Sequence, residues 1–279
     1  MAVSCSTSSG SSRERARRPE GKGIVKNESP APLTQLIERA AETLGKARHV
    51  CVLTGAGMSA ESGIPTFRDA LTGLWAQFSP EELATPEAFE RDPKLVWQWY
   101  EWRRELVRQA EPNPGHYAIA DLAHRVPRLT LVTQNVDGLH QRAGSTDAIE
   151  YHGNILRDRC TRHGAVAARA DWSASGLPEC AECGGLLRPD VVWFGEAIPR
   201  EPMLQAAAAA DECDVFLSIG TSSLVYPAAG LAEAALRAGA TVIEVNPSAT
   251  ELTPHAHIVL AGPSGRLLPP LVGALTHGR

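Results

Sequence analysis

No stretch of about 18 consecutive apolar residues occurs in the 279-residue sequence, so hydropathy gives no candidate for a membrane-spanning helix. Residues 1–27 are rich in Ser, Arg and Gly and lack the apolar segment of a secretory signal. Cysteine is sparse: six residues are too few to form a disulfide framework at this length. A basic surplus is missing too. The net charge of −5 argues against general nucleic-acid binding. These absences together predict a cytoplasmic protein with no membrane contact and no specific nucleic-acid partner. The charge is uneven, since residues 1–26 carry +4 and the remainder −9. With almost no apolar side chains, residues 1–28 cannot offset the entropy cost of ordering, and we read them as a disordered basic tail.

What remains is a 43% hydrophobic sequence that suits one large domain with a small one inserted. Leu33, Leu36, Ile37, Ala40, Ala41 and Leu44 fall on one helical face, predicting a helix from about Pro32 to Ala47. Short apolar runs at His49–Thr54, Leu129–Thr133, Val215–Ile219 and Thr241–Val245 read as buried strands. Helical segments such as Gly115–His124 and Ala228–Ala238 separate them. Strands alternating with helices predict an α/β fold whose parallel sheet is covered on both faces. Ligands of such sheets bind at the carboxyl ends of the strands, where Gly55, Gln134, Gly220 and Asn246 each follow a predicted strand. Two stretches break the alternation: 69–114, rich in Trp and Tyr, and 157–190, with paired Cys and Gly. We assign both to the inserted small domain, leaving about 29–68, 115–156 and 191–279 to the large one.

Gly55-Ala56-Gly57-Met58-Ser59-Ala60 fits G-x-G-x-x-A directly after a strand. The glycines allow a tight turn and close approach of a phosphate, and a helix opening there would offer N–H donors to pyrophosphate. Alone, the motif is also compatible with a glycine turn that binds nothing. Its continuation differs from that of a nicotinamide dehydrogenase. Pro65 interrupts any long helix, and no second strand ends in an acidic ribose reader about 20 residues on. Phe67 and Arg68 instead suit an apolar wall and a fixed cation over a nicotinamide ring. Then come the polar cluster Thr133-Gln134-Asn135-Val136-Asp137-Gly138-Leu139-His140 and the segment Glu150-Tyr151-His152-Gly153-Asn154. A phosphate cradle, ribose-sized hydrogen bonders and a base, in that order, suit a dinucleotide that is consumed. In isolation His152 could be a structural histidine, and residues 134–137 an ordinary helix cap.

Residues 55–68, 133–140 and 151–153 resemble the core motifs of the sirtuins, NAD-dependent protein-lysine deacylases. The resemblance extends from about residue 33 to 272, through Gly220-Thr221-Ser222, Val225-Tyr226-Pro227, Asn246-Pro247 and Val192-Trp193-Phe194-Gly195-Glu196. It implies a Rossmann-like large domain, a small zinc-binding domain, and a cleft where NAD meets an acylated lysine of a protein substrate. By the same resemblance, His152 is the general base on a ribose hydroxyl. Asn135 orders the ribose and a water, Gln134 contacts the ribose, and Asp137 with Ile64 holds the nicotinamide carboxamide. Gly55, Ala56, Gly57, Ala60, Phe67, Arg68, Gly220, Thr221, Ser222, Asn246, Pro247, Ser248 and Ser264 complete the cofactor site, while Val192, Phe194, Gly195 and Glu196 meet the substrate. His140 is read as structural. A monomer is expected. Mono-ADP-ribosyl transfer and non-catalytic NAD sensing stay open as rival functions.

Tyr100 and Arg103 stand three apart in Trp97-Gln98-Trp99-Tyr100-Glu101-Trp102-Arg103-Arg104, so on a helix they share a face. A guanidinium fork beside a phenol suits a terminal carboxylate. Composition alone favours a Trp-rich helix packed on the core with its arginine reaching solvent. The pair resembles the sirtuin subclass that removes succinyl, malonyl and glutaryl groups, whose members often retain deacetylase activity. Cys160-x-x-His163 and Cys180-x-x-Cys183 are separated by sixteen residues. Either His163 completes a structural Cys₃His zinc site or the site has lost its metal. The intact spacing and the competence of imidazole favour zinc.

Overall fold

The computed structural model describes residues 31–65, 78–167 and 176–275. The basic tail, Phe67 and Arg68 lie outside the described residues, as do parts of both stretches assigned to the small domain.

In chain order the elements are α1 (Leu33–Lys46), β1 (Val50–Thr54), α2 (Pro80–Leu83), α3 (Pro86–Arg91), α4 (Pro93–Gln109) and α5 (Pro114–Ala123). There follow β2 (Leu129–Thr133), α6 (Leu139–Arg142), β3 (Ile149–Glu150), β4 (Gly153–Cys160), β5 (Val166–Ala167) and β6 (Leu187–Val191). The chain continues through α7 (Arg200–Glu212), β7 (Val215–Ile219), α8 (Ala229–Ala238), β8 (Thr241–Asn246), β9 (Ile258–Ala261) and α9 (Ser264–Gly273).

Six strands form one wholly parallel sheet in the order β3-β2-β1-β7-β8-β9. Strand order runs leftward to β3 and then resumes rightward from β7, so direction reverses between β1 and β7. That reversal opens a crevice at the carboxyl ends of those two strands. Both sheet faces are apolar, which is why the strands read as unbroken hydrophobic runs. Val50, Val52, Leu217 and Val245 face a core shared with α1, α5 and α9. Cys51, Leu53, Phe216 and Val242 face a second core shared with α7 and α8. Cys51 and Cys213 are both buried there as free thiols, packed as small apolar side chains.

A separate antiparallel sheet, β5-β4-β6, begins at Gly153, one residue beyond His152. A third core joins it to α4 through Val96, Trp97, Trp99, Tyr100, Ile155, Leu187, Val191 and Trp193. The Trp97 indole donates to Leu187 O at 3.0 Å. Arg104 is fully buried beneath it. Its guanidinium stacks on Trp97, 5.0 Å from the ring centroid, pairs with Asp158, and donates to Glu101 (2.8 Å) and to the Ile155 and Arg157 carbonyls. Arg104 thus ties the aromatic helix to β4.

Candidate functional site

Site construction starts at the strand crossover. Gly57 N–H donates to Gly220 O at 2.8 Å, closing the mouth between β1 and β7. A Cβ on Gly57 would come within 2.8 Å of Gly220 O and 2.9 Å of Gly220 Cα. The second glycine of the motif is therefore required by chain-to-chain approach, beside any role with a phosphate. The α-helix expected after the motif does not form. Two 3-10 turns, Ala56–Met58 and Ala60–Ser62, replace it, and Gly63 ends them in the left-handed region at φ 82°. The second turn is closed by bonds of the shorter type, Ser62 N to Ser59 O and Gly63 N to Ala60 O, ahead of Pro65. The loop is anchored instead by Glu61, whose carboxylate accepts Gly265 N–H at 2.6 Å, at the start of α9. Ser264 beside it is buried, its Oγ without a partner.

Ser59 ties the loop to the polar cluster after β2. Its hydroxyl donates to Asp137 Oδ2 at 2.7 Å and accepts from Asn135 Nδ2 at 3.0 Å, with His116 Nε2 at 3.4 Å. Asp137 is buried and also accepts Leu139 N–H at 2.9 Å. Burial pushes its carboxyl above the usual range, while those two donors and the Arg103 charge pull it back. Gln134 N donates to Thr54 O at 2.9 Å, and Gln134 Nε2 to Thr221 Oγ1 at 3.1 Å. Asn246 Nδ2 reaches Thr221 O at 3.2 Å, so the loops after β1, β2, β7 and β8 are hydrogen-bonded into one rim. Ser222 is half-buried on that rim, whereas Pro247 and Ser248 are exposed.

His152 stands where the two sheets meet. Tyr151 N donates to Thr133 O, and Val192 N to His152 O, each at 2.9 Å. Gly153 makes this possible: its φ is 82°, and a Cβ there would lie 2.1 Å from Asp190 O. The imidazole Nδ1 contacts Gln134 O at 3.1 Å. A carbonyl only accepts, so Nδ1 carries the hydrogen and Nε2 presents a bare lone pair. Burial lowers the pKa of this imidazole below the ordinary histidine range, opposed by the Gln134 hydrogen bond. A neutral ring with a free Nε2 is a competent general base.

Behind the rim lies a pair of histidines to which we assign no ligand. His116 and His140 are buried edge to face, centroids 4.8 Å apart. His116 Nδ1 accepts Asn113 N–H at 3.2 Å in a reciprocal helix cap, and His140 Nε2 meets Thr54 Oγ1 at 3.0 Å. Desolvation lowers His116 to about 4, and desolvation with the His116 charge lowers His140 to about 3. Ser59 and His116 were not identified by sequence reasoning. A signal for His116 is the Asn113-Pro114-Gly115-His116 cap, with Pro at the first helical position and an acceptor at the third.

Tyr100 and Arg103 lie on α4 as the spacing requires. Tyr100 is buried, its phenol pushed up to about 12, chiefly by desolvation. Arg103 is half-buried, its guanidinium 5.0 Å from the Trp99 ring centroid. Its charge pulls down both the Tyr100 phenol and the Asp137 carboxyl, so it lies within electrostatic reach of both. Opposite is the segment 192–196. Trp193 Nε1 donates to Tyr100 Oη at 2.8 Å. Both Glu196 oxygens are held by Arg188, at 2.5 and 2.8 Å, and Trp193 N–H adds a third bond at 2.8 Å. Glu196 therefore braces the segment from within. Phe194 is exposed and Val192 half-buried.

Cys160, His163, Cys180 and Cys183 converge, their ligand atoms all within 4.8 Å of one another. Cys160 Sγ to Cys183 Sγ is 3.5 Å, and His163 Nε2 to Cys180 Sγ is 3.3 Å. A tetrahedral zinc with ligand bonds of about 2.0–2.3 Å sets its ligand atoms about 3.3–3.8 Å apart, so three thiols and an imidazole fit that ion. With four protein ligands, the site has no open position, and its role is structural.

Comparison with known proteins agrees with this architecture. The family model described as "Sir2 family" matches residues 55–227. An NAD-dependent protein deacylase of Methylococcus capsulatus is 52% identical over 245 residues, 85% of this chain and 96% of the relative. NAD-dependent protein deacylase 2 of Pyrobaculum aerophilum is 52% identical over 232 residues, 83% and 93% of the two chains. The crystal structure of a Sir2 homolog in complex with NAD superposes with a TM-score of 0.81 at 43% identity, covering 85% of this chain and 93% of that one. The family-model match, the half-identity to these relatives over more than four-fifths of the chain and the superposition converge, and the chain belongs to the Sir2 family.

Proposed function

We propose that this protein is an NAD-consuming protein-lysine deacylase that removes acidic acyl groups, succinyl and malonyl, as well as acetyl. The observation that carries the reading is the pair on α4, a buried Tyr100 phenol with Arg103 three residues on and its guanidinium 5.0 Å from the Trp99 ring centroid. The deacylase class is supported by the names of the half-identical relatives, and the use of NAD by the Sir2 homolog complex. NAD would supply the glycosidic bond whose cleavage makes a ribose carbon electrophilic, with the amide oxygen of acyl-lysine as nucleophile.

The residues then divide the work. The linked loops after β1, β2, β7 and β8 hold the dinucleotide across the crossover. Asp137 accepts from the nicotinamide carboxamide beside Ile64, and Asn135 and Gln134 orient the ribose. His152 Nε2 takes the proton of a ribose hydroxyl, a step worth roughly 10²–10⁴-fold for a positioned base. Arg103 and the Tyr100 hydroxyl grip the acyl carboxylate, as a fork and a single donor. The zinc tie holds the β4–β6 sheet that carries the segment 192–196.

Mass spectrometry of products from acetyl-, succinyl- and malonyl-lysine peptides tests this reading. The expected products are nicotinamide, free lysine peptide and O-acyl-ADP-ribose. Arg103→Ala should lower succinyl turnover far more than acetyl turnover; equal losses would refute the carboxylate role. ADP-ribosylated protein without O-acyl-ADP-ribose would favour ribosyl transfer instead.

A further inference from the structure

From the acyl-pocket geometry we infer that Trp193 is a specificity-positioning residue: its indole N–H turns the Tyr100 hydroxyl into a dedicated proton donor for the acyl carboxylate. The inference rests on the acidic-acyl reading above. An indole nitrogen can only donate, so in the 2.8 Å contact Tyr100 Oη must be the acceptor. The phenol hydrogen cannot lie along the same line and has to point away from Trp193. Tyr100 is 3% exposed, so water does not readily take that hydrogen. A buried O–H without an acceptor is costly, and a ligand that brings one relieves the cost. A carboxylate is acceptor-only and satisfies it; a bare methyl group does not. An oxygen that accepts a hydrogen bond is also a stronger donor, because the two bonds polarise each other.

Trp193 is itself held rigidly enough for this role. The Arg188 guanidinium lies 3.4 Å over its ring centroid, Phe89 packs at 5.4 Å, and the Trp193 backbone N–H is bonded to Glu196. Glu196 in turn pairs with Arg188, so side chain and main chain are clamped by one ion pair. The buried indole N–H needs an acceptor, and the one it takes is the Tyr100 phenol about two turns into α4.

The test is Trp193→Phe, which keeps an aromatic ring beneath Arg188, deletes the donor and removes some buried ring volume, a loss that acts on both peptides alike. The ratio of succinyl to acetyl kcat/KM should fall about fivefold, the size of one neutral hydrogen bond, with the change in KM for the succinyl peptide. Tyr100→Phe should lower the same ratio, and adding Trp193→Phe to it should lower it no further. Additive losses in the double variant would overturn the inference, as would a Trp193→Phe loss confined to kcat and equal on both peptides. A Tyr100→Phe loss with Trp193→Phe unchanged overturns this inference alone. Undiminished selectivity in Tyr100→Phe overturns it together with the acyl-pocket reading. Melting temperatures of each variant separate misfolding from these outcomes.

Discussion

Acid should weaken this protein through His116 and His140. Both rings are buried, with pKa values lowered to about 4 and about 3. The cause is visible at each ring. A proton added to His116 would land on Nδ1, where Asn113 N–H already donates. His140 Nδ1 is buried with no hydrogen-bond partner, so a proton there would face no acceptor. An unfolded histidine titrates near 6.5. Between about pH 6.5 and the lowered values, the unfolded chain binds protons that the folded chain refuses, so stability rises with pH across that window. The contribution is complete above about pH 6.5 and is lost as pH falls toward the folded values. At pH 5, linkage gives about 2 kcal/mol lost per imidazole, hence about 4 kcal/mol for the pair. That is a large share of a typical folding free energy of about 5–15 kcal/mol.

Urea unfolding at pH 7 and pH 5, followed by circular dichroism, measures the loss. Other groups titrate in the same range, so the informative quantity is a difference between variants. His116→Gln retains a side-chain acceptor at the third helical position and with it the reciprocal cap. It removes one titrating ring, and the pH 7 to pH 5 loss should shrink by about 2 kcal/mol. Wild type and His116→Gln losing the same stability to within about 0.5 kcal/mol would refute the assignment of that pH dependence to a buried neutral imidazole.

Further expectations concern the base, the metal and the buried arginine. His152→Ala should lower turnover by at least about 10²-fold while NAD still binds, measured by steady-state kinetics and calorimetry. Because the His152 pKa is lowered, the acidic limb of kcat/KM should have its midpoint below about 6.5; a midpoint above 7 would contradict the burial argument. Elemental analysis should find one zinc per chain, and prolonged chelation should lower the melting temperature; His163→Cys should keep the metal and His163→Ala should bind it less tightly. Arg104→Met should cost about 3–5 kcal/mol in chemical denaturation by leaving Asp158 buried without its guanidinium, and the double variant Arg104→Met, Asp158→Leu should recover much of that loss.

How far the sequence alone could carry these conclusions depended on how local each determinant is. The central strands were legible because a doubly covered parallel sheet needs unbroken apolar runs, which Val50–Thr54 and Val215–Ile219 supply. β3 has two residues and β9 four, too few for a pattern. The Ala-rich α7 buries only Ala206, Ala209 and Ala210, a narrow stripe. α9 carries Pro269 and Pro270 in its interior and would be rejected on propensity. It forms because Leu267, Leu268, Leu271 and Val272 are buried in the first core, and tertiary packing outweighs two lost N–H donors.

The same distinction applies within the site. The residues proposed to meet a ligand were legible as candidates, since glycine spacing, polar clusters and Tyr-x-x-Arg are local patterns. Residues that act through other residues were not. Arg104 follows Arg103 directly, yet the helical rotation of about 100° per residue sends it under Trp97 to Asp158 instead of toward the pocket. Ser59 lies inside the glycine motif, but its partners come from 57 and 78 residues away. Arg188 and Glu196 meet because β6 turns directly into the segment 192–196. In each case a buried charge or hydroxyl must find a distant partner or not be buried at all, so polar burial marks the supporting residues once coordinates exist. The proposed ligand contacts are therefore legible locally and the residues that would position them are not, which is why Trp193→Phe, a change outside those proposed contacts, is expected to alter which acyl group is preferred.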